Sequence, residues 1–474
     1  MHAFGARGDG VTDDTAAIQN ALDAVPATGA EVHFPSGTYV IRKTSSRHFL
    51  AFRSETRITG AGMTTATIKV AGGNGDWVDL LRSRADSRDH GSLSVSDLGF
   101  DLNTTGNPIT RSPLTSGMPR MVITSVTGAA ARVSITRCRF DDCSNVNTLY
   151  LAGIEVIVTD CEFIRTGQHA AIGWDHSSIY AVARAGGTIR IDGNRLAGTR
   201  SSGGSRTAIE THGGSQNVTN NLISDYLTGM NITGIADEVT TRVDVASNTI
   251  QGAMIAFHLW SRPYGALTAA VGGLRHVNLH SNIATIDSDA WRDTLGASGS
   301  YGCGFLLDPG ADSPMSFVTI QDNVVRFDPS KAVIGSPLER LACGVTLSGR
   351  SEVRDLAIIG NTFDGCLSAG LLIASSVNQA SIRGNHFVDA ASSPVLPPDP
   401  TLRSILVLGG KVTGLDVRGN EAVDSHAGRR LDQFVGSQPG LVLDHSTIRN
   451  NTVRRAVAGN AVPELDALTE RLLS

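Results

Sequence analysis

The sequence predicts an all-β fold, a right-handed parallel β-helix with an N-terminal capping helix and a short C-terminal helix, and three observations predict it. The first is composition: of 474 residues 41% are apolar, enough for a large core, while 52 glycines supply the positive-φ positions that short strands joined by tight turns require. The second is a phrase that returns from about residue 90 to residue 455: an alternating strand, a polar residue, Asn, a small or β-branched residue, then an apolar one. Copies include Gly193-Asn194-Arg195-Leu196, Asn220-Asn221-Leu222-Ile223, Ser247-Asn248-Thr249-Ile250, Asp322-Asn323-Val324-Val325 and Gly384-Asn385-His386-Phe387. The third is spacing. Asn194, Asn221 and Asn248 are 27 apart, Asn361 and Asn385 are 24 apart, and the 41 between Asn282 and Asn323 reads as loop insertion into a unit of fixed core.

Each unit holds two or three strands with period-2 alternation, such as Arg242-Val243-Asp244-Val245. A unit this short cannot bury its apolar face alone, so units of roughly 30 residues stack along an axis as roughly ten or more coils. Asn suits the recurring corner, because it tolerates the left-handed conformation and its amide can bond the same amide in the next coil. A β-propeller would need antiparallel blades with Asn-Gly hairpins at regular intervals, which the sequence lacks.

Taken in order, residues 1–50 read as an N-terminal cap, 51–455 as the β-helix with groove-forming insertions, and 456–474 as a C-terminal helical cap. Ile18, Leu22 and Val25 share a helical stripe behind Thr12-Asp13-Asp14, whose acids read as helix caps. Leu465, Leu468 and Leu472 mark the second helix, a cap or a short oligomer contact.

The net charge of -5, with no clustered Lys or Arg, gives a nucleic-acid partner no electrostatic footprint. No run approaches the roughly 20 apolar residues of a membrane span. Met1 is followed by a polar, Gly-rich segment, so secretion is not readable there, and a start on the cap motif fits a virion protein or a trimmed fragment. The six cysteines show no C-x-x-C and read as buried free thiols; Cys138 and Cys161 sit in matching contexts.

Phe4-Gly5-Ala6-Arg7-Gly8-Asp9-Gly10-Val11-Thr12-Asp13-Asp14-Thr15, followed by Val32-His33-Phe34-Pro35-Ser36-Gly37-Thr38-Tyr39, resembles the opening of the pectate-lyase-like β-helix family, and the likeness continues through Ile58-Thr59-Gly60-Ala61-Gly62 and Ser96-Asp97-Leu98-Gly99-Phe100-Asp101. The resemblance implies a polysaccharide lyase, a glycoside hydrolase, a mannuronan C5-epimerase or a phage tailspike depolymerase. It also implies a polysaccharide or oligosaccharide partner and an extracellular or virion-associated location, and the tailspike branch implies a homotrimer. The epimerase branch carries Tyr-Gly-Phe-Asp-Pro-His in its catalytic coil, where this chain reads Asn147-Thr148-Leu149-Tyr150-Leu151-Ala152-Gly153; Gly173-Trp174-Asp175-His176 lies one coil later and lacks the proline. The Asn-Thr-Asp and Gly-His-Gly signatures of the polygalacturonase branch are missing.

The chemistry is therefore read from this chain's residues. Aligning the strands that precede the insertions places Asp175, His212, His258 and Asp308 in one column on successive coils, with Glu210 two residues before His212 on the same face. At about 4.8 Å between coils and about 6.6 Å between residues two apart, Asp175, Glu210 and Asp308 would line one groove. They are the catalytic candidates for glycoside hydrolysis, which needs one protonated and one ionised carboxyl. Trp174, Trp260 and Tyr264, with Arg262, His212 and His258, are the substrate-binding candidates, since aromatic faces beside carboxylates fit sugar rings. Trp291, Tyr180 and Tyr301 lie nearby, and the stretches 260–274 and 287–301 would wall the groove.

Against each residue stands the plainer reading of outward polar side chains as solvated surface. A lyase would use Arg184, Arg200, Arg206 or Arg262 near a uronic acid. Acids with His are a poor Ca²⁺ set, Asp175 and Asp308 with His would suit a transition metal better, and the hydrolytic reading expects no metal or cofactor. A non-catalytic glycan-binding tailspike or adhesin shaft is the further alternative. Stacked acids, with no Lys in the central coils, favour hydrolysis.

Overall fold

The computed structural model describes residues 1–43, 47–75, 77–84, 92–108, 120–126, 131–143, 147–167, 177–200, 205–234, 240, 242–261, 273–287, 302–310, 315–328, 342–349, 351–392, 403–425, 431 and 433–455. Two compact units divide the chain, Met1–Tyr226 and Leu227–Ser474, and each is a right-handed stack of parallel coils.

In the first unit every complete coil contributes to three ladders. Strands such as Asp79–Ser83 and Thr207–His212 build the first ladder, Leu93–Ser96, Arg132–Thr136 and Ser215–Thr219 the second, and Gly99–Asp101, Arg139–Asp141 and Glu162–Ile164 the third. The long strands Asn147–Thr159 and Ser177–Asp192 serve two ladders by turning a corner where the register shifts after Gly153. Pairing is already established within residues 1–50, where Ala30–Phe34 lies beside Thr56–Gly60 and Gly37–Ile41 beside Ala66–Val70.

The capping helix is Thr15–Asp23, and Ile18, Leu22 and Val25 are buried as their spacing requires. Gln19 ties it to the first coils: its amide donates to the Ala51 carbonyl at 3.0 Å and its oxygen accepts the Ala51 N–H at 2.9 Å. The acids divide their labour differently from a simple double cap. Asp13 accepts the Thr15 N–H at 3.0 Å, whereas Asp14, buried, accepts the N–H groups of Arg7 and Gly8 at 2.7 and 3.0 Å and so pins the chain that enters the fold. The expected C-terminal helix lies outside the described residues.

The corner between the second and third ladders carries the repeat. In the second unit Asn248, Asn282, Asn323, Asn361, Asn385, Asn420 and Asn451 stack coil over coil, each side-chain N–H₂ donating to the next Asn oxygen at 2.8–3.0 Å. In the first unit Asn194 and Asn221 do the same. The left-handed residue at this corner is the one before the Asn, among them Ser247, Ser281, Asp322 and Gly360. The reversal is made there, which leaves Asn free to turn its amide inward, where it is buried. Cys138 and Cys161 occupy the same register: Cys161 N–H donates to the Asn194 oxygen at 3.0 Å, and Cys138 N–H to the Cys161 sulfur at 3.4 Å. All six cysteines are buried and free. Stacked rings follow the ladder inward, Phe100, Phe140 and Phe163 in the first unit and Phe363 with Phe387 in the second.

Candidate functional site

On the first ladder of the first unit, Tyr150, Tyr180 and Glu210 stand in one column, and Ala152, Val182 and His212 in the next outward one. Polar residues replace the expected apolar alternation here, and a cluster forms among them. Glu210 is fully buried; its carboxyl accepts the Ser177 hydroxyl at 2.5 Å and meets His212 Nε2 at 3.0 Å. The Asn147 side-chain oxygen accepts the Ser177 N–H at 3.0 Å and so positions that serine. The His212 ring, also buried, packs on Tyr180 with centroids 4.6 Å apart, and Tyr180 packs on Tyr150 at 4.9 Å. Tyr150 and Tyr180 are the half-buried members, the ones a ligand reaches first.

Burial pushes the Tyr150 phenol above its ordinary pKa, opposed by the charge of Arg184. It therefore holds its proton at neutral pH and is suited to giving it up only to a developing alkoxide. The 3.0 Å contact between Glu210 and His212 Nε2 orients the imidazole ring. Such a set combines an oriented imidazole, phenols able to donate, and an arginine.

Farther along the same ladder Asp79, 4% exposed, accepts a hydrogen bond from the Thr124 hydroxyl, and burial raises its pKa. Sequence reasoning passed over it, although an acid inside Val78-Asp79-Leu80-Leu81 breaks an apolar run and is a signal in itself. Ser177 and Asn147 carried no such signal, because their partners come from other coils.

The candidates His258, Trp260 and Asp308 belong to the second unit. His258 aligns with Asn231 and Leu306, and Trp260 with Thr233 and Asp308. Asp308 thus falls opposite Trp260 rather than in the His258 column. Ile255 meets Cys303 in the ladder, which slips the expected alignment by two residues, and a two-residue slip keeps the same face. The His258 and Trp260 rings lie nearly parallel, 6.0 Å apart. Glu210, expected to line an open groove, is instead fully buried against Ser177 and His212. Asp175, Trp174, Arg262, Tyr264, Trp291 and Tyr301 lie outside the described residues.

Three parallel ladders, a stacked asparagine corner and a capping helix define the class of right-handed parallel β-helix proteins. A tailspike protein of E. coli bacteriophage HK620, solved as a double mutant in complex with pentasaccharide, shares the fold, with a TM-score of 0.60 at 13% identity over 94% of this chain and 77% of that one. Residues 1–255 match the rhamnogalacturonase A/epimerase, pectate lyase-like family, and the chain belongs to it. Among curated proteins, mannuronan C5-epimerase AlgE2 of Azotobacter vinelandii is 41% identical over 104 residues, and alginate lyase 7 of the same organism 40% identical over 104. These matches cover 21% of this chain and only 10% and 12% of the relatives' lengths.

Proposed function

We propose that the chain is a glycan-active enzyme that cleaves a uronic-acid polysaccharide by β-elimination at the Tyr150–Tyr180–His212 cluster. The observation that carries the reading is the buried Glu210–His212 pair packed beneath two half-buried tyrosines. His212 removes the proton α to the uronate carboxylate, the electron pair forms the ring double bond, and the bond to the leaving oxygen breaks as Tyr150 protonates it. Arg184, whose charge acts on Tyr150, is placed to neutralise the uronate carboxylate. Glu210 is then a positioning residue, holding the imidazole rather than touching substrate. Matches to an alginate lyase and to a mannuronan C5-epimerase support the uronate class.

Hydrolysis is the second reading, favoured by Glu210 standing at the centre of the cluster; it needs a second carboxyl, for which the chain offers Asp175. A polymeric substrate places the enzyme outside the cell or on a virion, and assembly as a homotrimer belongs to the same proposal.

The test is incubation with alginate, pectate and neutral polysaccharides, following ultraviolet absorbance from unsaturated products and new reducing ends together. Absorbance from a uronate polymer is expected, and Tyr150→Phe should lower the rate about 10²–10⁴-fold. Glu210→Gln should lower kcat comparably while leaving KM for the polymer little changed, because it alters how the imidazole is held without touching substrate. Reducing ends without absorbance would establish hydrolysis instead, and silence on every polymer would leave a binding shaft.

A further inference from the structure

The second ladder of the second unit contains a column of strained residues that the proposed site does not use. In the strands Leu274–His280, Met315–Gln321, Val353–Ile359, Val377–Arg383 and Lys411–Arg418, one residue near the start is left-handed: His276, Phe317, Asp355, Gln379 and Gly414, with φ between 53° and 68°. The ladder skips each of them and resumes in register on the far side. Only the last is glycine, so this face carries about 1–2 kcal/mol of backbone strain at each of the others. Strain that recurs in one column, and includes an aromatic residue, marks a place where shape is being held for use.

Past the kink, strands of the last three coils line a groove. The floor is small and polar, with Asn278, Thr319, Ala357, Ser381 and Asp416 aligned coil by coil. A cavity of about 470 Å³ opens over the last three of these coils, between Asp355 and Gln379 on one side and Arg383 on the other. Arg383 and Arg418 both pair with Asp416 at the floor. On the coil before Asp355, Phe317 is 40% exposed, its ring parallel to His276 at 4.7 Å and under the Arg275 guanidinium at 5.5 Å.

We propose that this groove is a second glycan-binding site, which holds an extended stretch of polysaccharide along the coil axis on a ladder separate from the one that carries the catalytic cluster. Carboxylate, amide and hydroxyl side chains of Asp355, Gln379 and Ser381 line the cavity, and together they complement sugar hydroxyls, which both donate and accept. One coil before the cavity, the exposed Phe317 ring takes the apolar face of a pyranose. The strip repeats at about 4.8 Å from coil to coil, so a regular polymer runs over a floor of short side chains for several residues. The choice of glycan as occupant rests on the reading of the chain as glycan-active. Holding a distant stretch of the chain raises the effective concentration of the polymer at the catalytic cluster, an advantage that short oligosaccharides do not share.

The experiment uses two variants of the full chain, Ser381→Trp, which fills the floor from the solvent side, and Phe317→Gly, which removes the ring and relieves its strain. Retention is measured by electrophoresis in gels containing alginate, pectate or dextran, alongside kinetics on alginate polymer and on short alginate oligosaccharides. Retention of the parent protein by at least one polymer is expected. Both variants should weaken it about 10-fold or more and raise KM for polymer, with oligosaccharide kinetics unchanged. The melting temperature of Phe317→Gly should be equal to or above the parent's, which separates lost binding from lost folding. Variants retained like the parent, or a parent retained by none of the gels, overturn the groove. Lost retention in a protein that cleaves nothing would overturn the catalytic reading and leave the groove standing.

Discussion

Replacing Asn323 by alanine interrupts the asparagine stack of the second unit, between Asn282 and Asn361. The side chain is buried, and its oxygen accepts both the backbone N–H and the side-chain N–H₂ of Asn282, at 3.0 and 2.9 Å. Its own N–H₂ donates to the Leu279 carbonyl and to the Asn361 oxygen, each at 2.9 Å. Asn361 keeps one donor after the substitution, the backbone N–H of residue 323, and the Asn282 amide keeps the Val245 carbonyl. The Asn282 N–H and the Leu279 carbonyl, on buried residues, lose these partners. At about 1–3 kcal/mol for each buried group so deprived, the loss is about 2–6 kcal/mol. Cysteine at the same position should restore about half, because a sulfur accepts a backbone N–H at this corner in the Cys138–Cys161 pair but cannot donate in turn as an amide does. Urea denaturation followed by circular dichroism measures both. An alanine variant within about 1 kcal/mol of the parent, or a cysteine variant no better than alanine, would refute the view that the amide stack is a principal support of the coils.

Two further outcomes follow from buried groups elsewhere. Tyr226, fully buried and bonded to Thr166 and Ser178 at 2.9 and 2.8 Å, has its phenol pushed up to about 12 by burial. The folded state therefore binds this proton more tightly than the unfolded chain, so its contribution is complete below about pH 10 and is lost as the pH rises through about 12. Alkaline melting curves should fall in that window and fall less steeply for Tyr226→Phe. Asp14→Asn should cost about 1–2 kcal/mol and Asp14→Ala more, read as a drop in melting temperature, because the Arg7 and Gly8 N–H groups lose a charged acceptor.

The coil architecture was legible because its signal is local and repeated: a strand, a corner residue, Asn, an apolar residue. The same text misassigned which of the two corner residues is left-handed, since Asn tolerates that conformation as well as Gly or Ser does, and only the inward hydrogen bonds decide. Glu210 and His212 could be paired from the sequence, being two apart on one strand. Ser177, Asn147 and Tyr180 complete their environment from strands about 30 residues distant, at a register that no single strand encodes. The slip that separated Asp308 from His258 has the same origin. Loop insertions lengthen the coils unequally, so counting along the chain cannot say which rung meets which. The left-handed column at Phe317 was invisible for a different reason, as only one of its five positions is the glycine that would announce it.

The asparagine corner has a consequence for how such a chain changes length. Every coil receives from one neighbour the contacts that it offers to the other, so the coils on either side of a removed one find the same partners when they meet. The segment from Asn361 to Asn385, only 24 residues long and bonded identically at both ends, is a natural module of insertion or excision. A protein built this way grows by whole rungs, each accommodated without redesign of the rest, and variation in length need not disturb the coils where chemistry is done.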